Sequence, residues 1–372
     1  MKPFKLKKIK FLNVNRKKKT TEVLNLFGDR VSNSIGRTVI ACFAVMGFFY
    51  IAPILINFAS QEIFSTEFQN DSRKVMVYKL NGKEQEVNID VNETFDEKDL
   101  LSDIFTLNDL ETESVRLSAS TINQLFKDTN YNLDDVRLNK LVRPVALTWL
   151  PNEIKKIENT KERKNLFIQI VLPLILEENN NIKLDRLKLF TIINKNNNTK
   201  LEKKWLNQKY KQYGIPSKDL STLKIRMDEI PTSLAIAQAA KETGWGTSRF
   251  ALEGNALFGQ WTWSGEGLKP KDAEKDEGHK VMKFNVLQAS VRAYQRNLNT
   301  HSSYREFRNA RAKLRDEGLE LDSITLSEHL DKYAETGKKY VDTLKKIISQ
   351  NNLKDFDDAK LLPSSIELES LI

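Results

Sequence analysis

The chain has 372 residues, which predicts two or three structural units, and its formal net charge at pH 7 is +9. Its single cysteine, Cys42, excludes a disulfide framework, and its three histidines show no metal-ligand spacing. No glycine-rich phosphate loop is present, so the sequence predicts neither a metal nor another cofactor.

The positive charge is concentrated in an N-terminal tail. Residues 1–37 hold eleven Lys and Arg residues against two acidic ones, and the rest of the chain holds 48 basic and 48 acidic residues. Because the body is balanced, the charge does not indicate a nucleic-acid-binding protein. We expect residues 1–37 to form a basic cytoplasmic tail.

An apolar segment follows this tail. Thr38 to Ala59 contains 22 residues without a charge, which is long enough to cross a bilayer as a helix. The basic flank predicts a cytoplasmic N-terminus, with Ser60 onward across the membrane. A signal peptide cleaved after Ala59 is the alternative, but a 37-residue flank is longer than a usual n-region. The sequence therefore favours an uncleaved, single-pass signal anchor over residues 38–59.

Residues 60–140 are polar and mixed, and they predict a spacer or small adaptor region. Val75 to Val91 alternates around Asn81-Gly82, a dipeptide typical of a β-hairpin turn. Phe105 to Leu141 predicts a few short helices.

Residues 141–215 predict a helical lead-in to the next domain. Apolar residues recur there at helical spacing, as at Leu166, Ile170 and Leu174. Leu166 to Leu176 is too short to span a membrane, so it indicates a buried core segment. Pro173 within this run predicts a kinked or divided helix.

Two asparagine triplets, at residues 179–181 and 196–198, predict turns within this lead-in. Leu201 to Tyr213 then resumes a helical pattern that ends near Gly214-Ile215-Pro216. Together these segments predict a helical hairpin that precedes the domain at residues 216–352.

A glutamate in an alanine-rich helix is the strongest functional signal. Pro231 suits the first turn and Gly244 the exit of this helix, which places Glu242 in the last turn. A carboxylate is disfavoured near this end of the helix dipole, and Trp245 supplies apolar cover, so both effects raise the expected pKa of Glu242. An isolated glutamate at this position is usually solvated, whereas a carboxyl that keeps its proton suits acid-catalysed glycoside cleavage.

Further motifs follow this helix: Glu242 to Gly246, Asn255 to Gly259, Ser290 to Tyr294, and Tyr333-Ala334 with Tyr340. With these motifs, Val145 to Ile348 resembles the glucosaminidase family of lysozyme-like bacterial peptidoglycan hydrolases, and most of all its Bax-type members. The resemblance implies that Glu242 is catalytic and that the substrate is the glycan strand of peptidoglycan. It also implies a catalytic domain on the periplasmic or extracytoplasmic side of a bacterial inner membrane.

The fold expected from this resemblance is mainly α, with a lysozyme-like catalytic domain at residues 216–352. One small β-hairpin is expected between Gln260 and Phe284. Helical spacing places Tyr294 in a buried stripe, which indicates a core role rather than a catalytic one. Residues 353–372 are acidic and unpatterned, and they predict a loose tail.

A second catalytic group is expected from the polar loop at Ser264 to Lys280. Its carboxylates are Glu266, Asp272, Glu274, Asp276 and Glu277. The distance from Phe284 makes Glu274 the best match to the hairpin carboxylate of the family, although such a charged loop is often merely solvated. Assistance by the 2-acetamido group of the substrate, or Glu242 acting alone, are the alternatives.

Sugar contacts are expected from the aromatic residues Phe258, Trp261, Trp263 and Tyr333, although each of these also suits a packing role, and Gln260 is expected to supply a polar contact. Asn255 suits either a polar contact or a turn. Three functions stay open at this point: a hydrolase of β-1,4 bonds beside N-acetylglucosamine, a lytic transglycosylase of the same fold, and a non-catalytic glycan-binding scaffold.

Overall fold

A computed structural model describes residues 77–80, 83–86, 101–104, 106–107, 115–262, 267–269 and 280–363. The chain divides into two units, residues 1–89 and 90–372. The segment Thr38 to Ala59, with its predicted membrane anchor, lies outside the described residues. Within those residues, no helix combines the length and the apolar character needed to cross a membrane.

The first unit contains a two-stranded antiparallel hairpin. Strands β1 (Val77–Leu80) and β2 (Lys83–Glu86) pair with Leu80 opposite Lys83, so two residues connect them. This confirms the hairpin predicted around Asn81-Gly82.

The second unit is mainly helical, as predicted. Its α-helices are α1 (Ala119–Asp128), α2 (Leu133–Asn139), α3 (Thr160–Ile193), α4 (Lys200–Gln212), α5 (Leu220–Arg226), α6 (Thr232–Thr243), α7 (Arg249–Gly254), α8 (Leu287–Thr300), α9 (Arg305–Asp316), α10 (Ser323–Ser327) and α11 (Lys338–Gln350). Among the described residues of this unit, 3₁₀ turns lie at Asn152–Lys156, Ser302–Tyr304, Asp331–Tyr333 and Leu353–Phe356. Residues 101–104 and 106–107 are also helical.

Within the described part of this unit, two small sheets accompany these helices. Strand β3 (Leu141–Val142) pairs in parallel with β7 (Lys360–Leu361). Strands β4 (Trp261–Thr262), β5 (Gly267–Leu268) and β6 (Lys280–Met282) form an antiparallel sheet in the order β4-β6-β5. The second sheet lies where the sequence predicts a hairpin, between Gln260 and Phe284.

Helix α3 is continuous through Pro173, so a divided helix was the wrong prediction. Proline removes the hydrogen bond that the carbonyl of Gln169, four residues earlier, would accept. The hydroxyl of Tyr131 donates to that carbonyl instead at 3.1 Å, and the Gln169 side chain donates back to the Tyr131 carbonyl at 2.8 Å. A partner distant in sequence therefore satisfies the carbonyl that Pro173 leaves open.

The first asparagine triplet also lies inside α3, although a turn was predicted there. Asn179 is buried, and its side chain bonds both the N–H and the carbonyl of Ile230, at 3.2 and 2.7 Å. A tertiary partner thus replaces the local hydrogen bonds that make asparagine favour turns. The second triplet, residues 196–198, does lie in the connection between α3 and α4.

The main core joins α1, α2, α3, α6, α8 and α11. Ile122 and Phe126 of α1 and Val136 of α2 are buried in it, so residues 119–139 are part of the second unit rather than of a spacer that extends to residue 140. The run from Leu166 to Leu176 is buried as predicted.

The predicted loose tail at 353–372 is ordered through β7, which corrects that boundary. Leu353 and Phe356 are fully buried, and Asp357 accepts hydrogen bonds from the N–H and hydroxyl of Ser233, at 2.7 and 2.8 Å. Ser233 lies in the first turn of α6, where a carboxylate complements the helix dipole. Burial of Leu353 and Phe356 holds this acidic segment in place, although the segment has no helical sequence pattern.

Helices α3 and α4 form the predicted helical hairpin. Lys209 pairs with Asp185, and Lys195 pairs with Glu202, which sets the two helices antiparallel. The seam contains a separate apolar cluster with Ile182 and Leu189 of α3 and Tyr210 of α4. We call this element the α3–α4 hairpin, residues 183–212.

Candidate active site

Glu242 lies in the last turn of α6, as predicted. Pro231 precedes the helix as its N-cap rather than within the first turn, and Gly244 ends it with a φ of 58°. This left-handed geometry suits glycine, and it lets the Trp245 N–H return to the Ala240 carbonyl at 3.0 Å. The local sequence therefore fixes where the helix ends and where the Glu242 side chain emerges.

The pKa of the Glu242 carboxyl is raised above its usual range. Burial is the largest cause, because it disfavours the charged form. A hydrogen bond from the Tyr340 hydroxyl and the charge of Lys241 act in the opposite direction and lower the pKa in part. The balance favours a carboxyl that holds its proton at a higher pH than a solvated glutamate does.

A glycine backbone covers one side of this carboxyl. A side chain at Gly259 would place its Cβ 3.4 Å from Oε2 of Glu242, and the φ of Gly259 is 62°. Both features favour glycine, because it tolerates positive φ and allows close approach. The segment Asn255 to Gly259 thus brings bare backbone against the acid.

Helix α8 holds that segment in place. The hydroxyl of Ser290 accepts the N–H of Leu257 at 3.0 Å, and the ring of Tyr294 stacks on Phe258 with centroids 3.8 Å apart. From another element, the hydroxyl of Tyr333 donates to the Phe258 carbonyl at 2.9 Å. The segment Asn255 to Gly259 therefore packs against α8 and Tyr333, which brings three of the sequence motifs together.

A chain of buried hydrogen bonds ends at Glu242. The Tyr294 hydroxyl donates to Oε1 of Gln238 at 2.7 Å, and Nε2 of Gln238 donates to the Tyr340 oxygen at 3.0 Å. Tyr340 then has its own proton left to donate to the Glu242 carboxylate. Each donor is oriented by the one before it, so the Tyr340 hydroxyl is fixed toward Glu242.

Tyrosines form the wall around this chain. Tyr333 stacks on Tyr340 with centroids 5.4 Å apart, and Tyr304 lies 5.9 Å from Tyr333. Burial raises the pKa of Tyr304 to about 12 and raises the pKa values of Tyr294, Tyr333 and Tyr340 well above the usual value. These hydroxyls therefore stay neutral near pH 7, and they surround the acid without adding charge.

Trp245 supports α6 from the side of α3. Its ring meets Phe167 edge-on with centroids 6.0 Å apart, and Nζ of Lys164 lies 4.8 Å from the ring centroid. These contacts pack the Trp245 ring against α3, and its predicted role as apolar cover over Glu242 stays a prediction. Tyr340 of α11 donates a hydrogen bond to the Glu242 carboxylate, while burial and the charge of that carboxylate raise the pKa values of Tyr294, Tyr304 and Tyr333.

The predicted sugar-contact residues have different placements. Phe258 is 2% exposed and stacked on Tyr294, so its ring packs behind the site instead of lying open to a sugar. Tyr333 and Gln260 are half-buried beside the same loop. Trp261 begins β4, while Glu274 lies outside the described residues, and the roles of both stay predictions.

Asn255 has a structural role. It is fully buried with a φ of 50°, and its side chain donates to the carbonyls of Thr148 and Phe284, at 3.1 and 3.2 Å. This favours the turn alternative over a polar contact with substrate.

Sequence reasoning missed Gln238, one helical turn before Glu242. A glutamine among buried alanines is a usable signal, because a polar group on an apolar helix face needs a partner. That partner, Tyr340, is about 100 residues away in the chain, so sequence spacing alone does not reveal it. Within the residues described, no group of three His, Cys, Asp or Glu side chains is arranged to hold a metal ion.

Comparison with known proteins places this site in a family. Residues 220–353 match the sequence model described as mannosyl-glycoprotein endo-beta-N-acetylglucosaminidase, or Glucosaminidase. The chain is 31% identical to Protein bax of Escherichia coli strain K12 over 194 residues, which are 50% of this chain and 69% of that protein. The catalytic domain of the autolysin Auto from Listeria monocytogenes matches at 20% identity and a TM-score of 0.28, over 47% of this chain and 97% of that domain. With its glutamate, glycine loop and closing tyrosines in one site, the chain belongs to the Bax-type glucosaminidase family of glycoside hydrolases.

Proposed function

We propose that this protein is a membrane-anchored peptidoglycan hydrolase that cleaves β-1,4 bonds beside N-acetylglucosamine, with Glu242 as general acid. The observation that carries this proposal is the raised pKa of a carboxyl set among neutral tyrosines. Glycoside cleavage needs a proton on the leaving oxygen, and a carboxyl that is still protonated near neutral pH supplies it.

The hydrogen-bond chain also stabilises the carboxylate that forms when Glu242 gives up its proton. When Glu242 transfers its proton to the glycosidic oxygen, a carboxylate forms in a largely buried position. The Tyr340 hydroxyl is already directed at that carboxylate by Gln238, so the new charge is stabilised without a change of partners. Tyr340 and Gln238 thus act as positioning residues for the acid.

We assign the second catalytic group to Glu274 of the loop at 264–280. Strand β4 precedes this loop and begins two residues after Gly259, whose backbone lies against the acid. Paired carboxyl groups in such enzymes lie roughly 5 to 10 Å apart, so the proposal requires Glu274 to come within that distance of Glu242. The carboxylate would stabilise the sugar cation or activate water.

A lytic transglycosylase is the second candidate. Within the described residues, Glu242 is the one carboxylate whose charge acts on Tyr294 and Tyr304. A single residue that serves first as acid and then as base is sufficient for intramolecular attack by the muramic 6-hydroxyl, which yields a 1,6-anhydro end.

Product analysis tests the proposal. Purified peptidoglycan is digested with the full chain, and the fragments are identified by mass spectrometry. Reducing N-acetylglucosamine ends support the hydrolase, and 1,6-anhydromuramic ends support the transglycosylase. Absence of cleavage by the folded wild-type protein would favour a glycan-binding scaffold and would contradict both enzymatic assignments.

Loop variants test the second group. Glu266, Glu274 and Glu277 are changed singly to Gln, and Asp272 and Asp276 to Asn. If Glu274 completes the site, only Glu274→Gln gives a strong loss. Five mild phenotypes would instead support assistance by the 2-acetamido group or by Glu242 alone.

The proposed location is the bacterial inner membrane, with residues 38–59 as the anchor and the catalytic unit on the extracytoplasmic side. The eleven basic residues before Thr38 support this orientation. A phosphatase reporter fused near residue 70 is expected to be active because it is exported. A mature N-terminus at Ser60 would show cleavage and contradict the anchor.

A further inference from the structure

We propose that the α3–α4 hairpin binds the surface of an anionic phospholipid bilayer. This contact is separate from the apolar segment at residues 38–59 and from the site around Glu242. The hairpin also precedes residue 220, where the match to the glucosaminidase sequence model begins. The inference therefore concerns a part of the chain that the proposed chemistry does not use.

Charge is the first observation. Residues 183–212 contain nine basic and two acidic residues, a net charge of +7. The rest of the helical body, residues 119–182 and 213–372, holds 33 basic and 32 acidic residues. The hairpin is thus a local cationic element on a nearly neutral protein body, which selects an anionic partner.

The second observation is that the cations are available. Both acidic residues are already paired, Asp185 with Lys209 and Glu202 with Lys195. The exposed lysines at 188, 200, 203 and 204 make no ion pair within the part of the chain that the structure describes. Lys188 lies over the ring of Trp205, which does not neutralise it, so no acidic partner within those residues compensates the four charges.

Exposed leucines on the same hairpin distinguish a lipid surface from other anionic partners. Leu184 and Leu187 are 56% and 60% exposed, and they are neighbours on one helix face because they are three residues apart. Leu201, in the first turn of α4, is 79% exposed. Exposed leucines among lysines are typical of helices that lie in a membrane interface, where the apolar side chains enter the acyl boundary.

Trp205 adds an interfacial feature between the helices. Its half-buried ring has Nζ of Lys188 at 4.8 Å and Nζ of Lys209 at 5.6 Å from the centroid. Tryptophan is enriched at membrane interfaces, since its ring is apolar and its N–H is polar. An anionic glycan would satisfy the lysines but would leave the three leucines in water, so the combination favours lipid.

Electrostatic attraction to such a surface is additive. Each lysine near an anionic leaflet strengthens binding by about fivefold, so reversing three lysines is expected to abolish the contact. The attraction decays over about 8 Å at physiological ionic strength, and high salt is expected to weaken it.

A fluorescence experiment on the full chain tests this proposal. Cys42 is replaced by Ser, and a fluorophore is attached to Asn207→Cys on exposed α4, or to Glu158→Cys before α3 as the reference position. The protein is reconstituted in vesicles of phosphatidylcholine, with or without phosphatidylglycerol, that carry a nitroxide-labelled headgroup lipid. We expect quenching at position 207 in the phosphatidylglycerol vesicles and little quenching at position 158.

Variants with the same change in net charge distinguish an effect of the hairpin lysines from an effect of the total charge of the protein. Lys200→Glu, Lys203→Glu and Lys204→Glu together are expected to remove the quenching at position 207. The control Lys155→Glu, Lys156→Glu and Lys161→Glu makes the same charge change on exposed lysines at the other end of α3 and is expected to retain it. Leu184→Ser with Leu187→Ser and Leu201→Ser is expected to reduce quenching at unchanged charge.

Three outcomes would overturn the proposal: no quenching at position 207, equal quenching in both vesicle types, or a fluorescence response to soluble peptidoglycan fragments in place of the lipid response. Circular dichroism of each variant excludes unfolding as the cause of a loss. Glu242→Gln is expected to keep the lipid response, so failure of the proposed chemistry and failure of this surface are distinguishable.

Discussion

The surroundings of Glu242 and the α3–α4 hairpin use charge in opposite ways. At Glu242, one carboxyl is enclosed by neutral tyrosines, and each neighbour is fixed by a hydrogen bond or a stacked ring. On the hairpin, many cations are exposed and few are held in place. Burial makes a single group decisive in the first region, whereas the second depends on a sum of weak, screened contributions.

This contrast predicts how each region responds to mutation. Single changes near Glu242 should have large effects on rate, and single changes on the hairpin should have small effects that become visible only when they are combined. The predictions below follow this scale from the largest effect to the smallest.

Glu242→Gln is expected to lower the rate of glycan cleavage by about 10²- to 10⁴-fold, because it removes the general acid while keeping the shape of the side chain. The measurement is release of soluble fragments from purified peptidoglycan. Glu253→Gln is the matched control, since Glu253 is exposed and pairs only with Arg249 within the described residues. Near wild-type activity in a correctly folded Glu242→Gln variant would remove Glu242 from the mechanism.

Leu172→Ala is expected to lower the free energy of unfolding by about 2–5 kcal/mol, because Leu172 is fully buried in the core part of α3. Leu187→Ala, on the exposed hairpin face of the same helix, should change it by less than about 0.5 kcal/mol. Urea denaturation of both variants checks the difference. Equal destabilisation would mean that the hairpin leucine is covered by protein.

Gln238→Leu is expected to lower the rate of cleavage by roughly 10-fold, because it leaves the hydroxyls of Tyr294 and Tyr340 without a partner that orients them. The fold should be retained, since leucine is of similar size in an apolar helix face. If the steady-state rate were unchanged while Tyr340→Phe was slow, orientation through Gln238 would be excluded.

Tyr340→Phe is expected to move the alkaline limb of the pH–rate profile to higher pH. The hydroxyl donates to the carboxylate and lowers the pKa of Glu242, so its removal raises that pKa further. Since the acid must be protonated to act, the variant stays in its active form to a higher pH. Tyr210→Phe, a buried tyrosine of the hairpin cluster, is the control and should leave the limb unchanged.

Lys203→Gln alone is expected to produce the smallest change. It should weaken vesicle contact by about fivefold and leave cleavage of soluble peptidoglycan fragments at the wild-type rate. Titration with increasing phosphatidylglycerol measures the first effect. A complete loss of contact from this single change would indicate a specific lysine site instead of a distributed surface.

The sequence was most informative where function depends on neighbours in the chain. Gly244 and Glu242 lie within three residues, and their pattern predicts both the helix end and the disfavoured carboxyl. Gly259 ends the next motif, Asn255 to Gly259, and its close approach to Glu242 agrees with the expectation that this motif belongs to the active site.

Predictions failed where a distant partner changed the local preference. Pro173 and Asn179 stay within α3 because Tyr131 and Ile230 supply the missing hydrogen-bond partners. No local pattern contains that information, since these partners lie roughly 40 to 50 residues away. The ordered segment after residue 352 was missed for the same reason, because it depends on burial of Leu353 and Phe356 against helices formed much earlier.

The late position of that segment also affects the timing of synthesis. Glu242 leaves the ribosome about 100 residues before Tyr340, and Asp357, which caps the N-terminus of α6, follows later still. A growing chain therefore carries its acid before it has the hydroxyl that directs it or the carboxylate that anchors its helix. The enzyme is expected to become competent only after residues 340 and 357 have been synthesised, and a chain truncated before residue 340 should be released without activity.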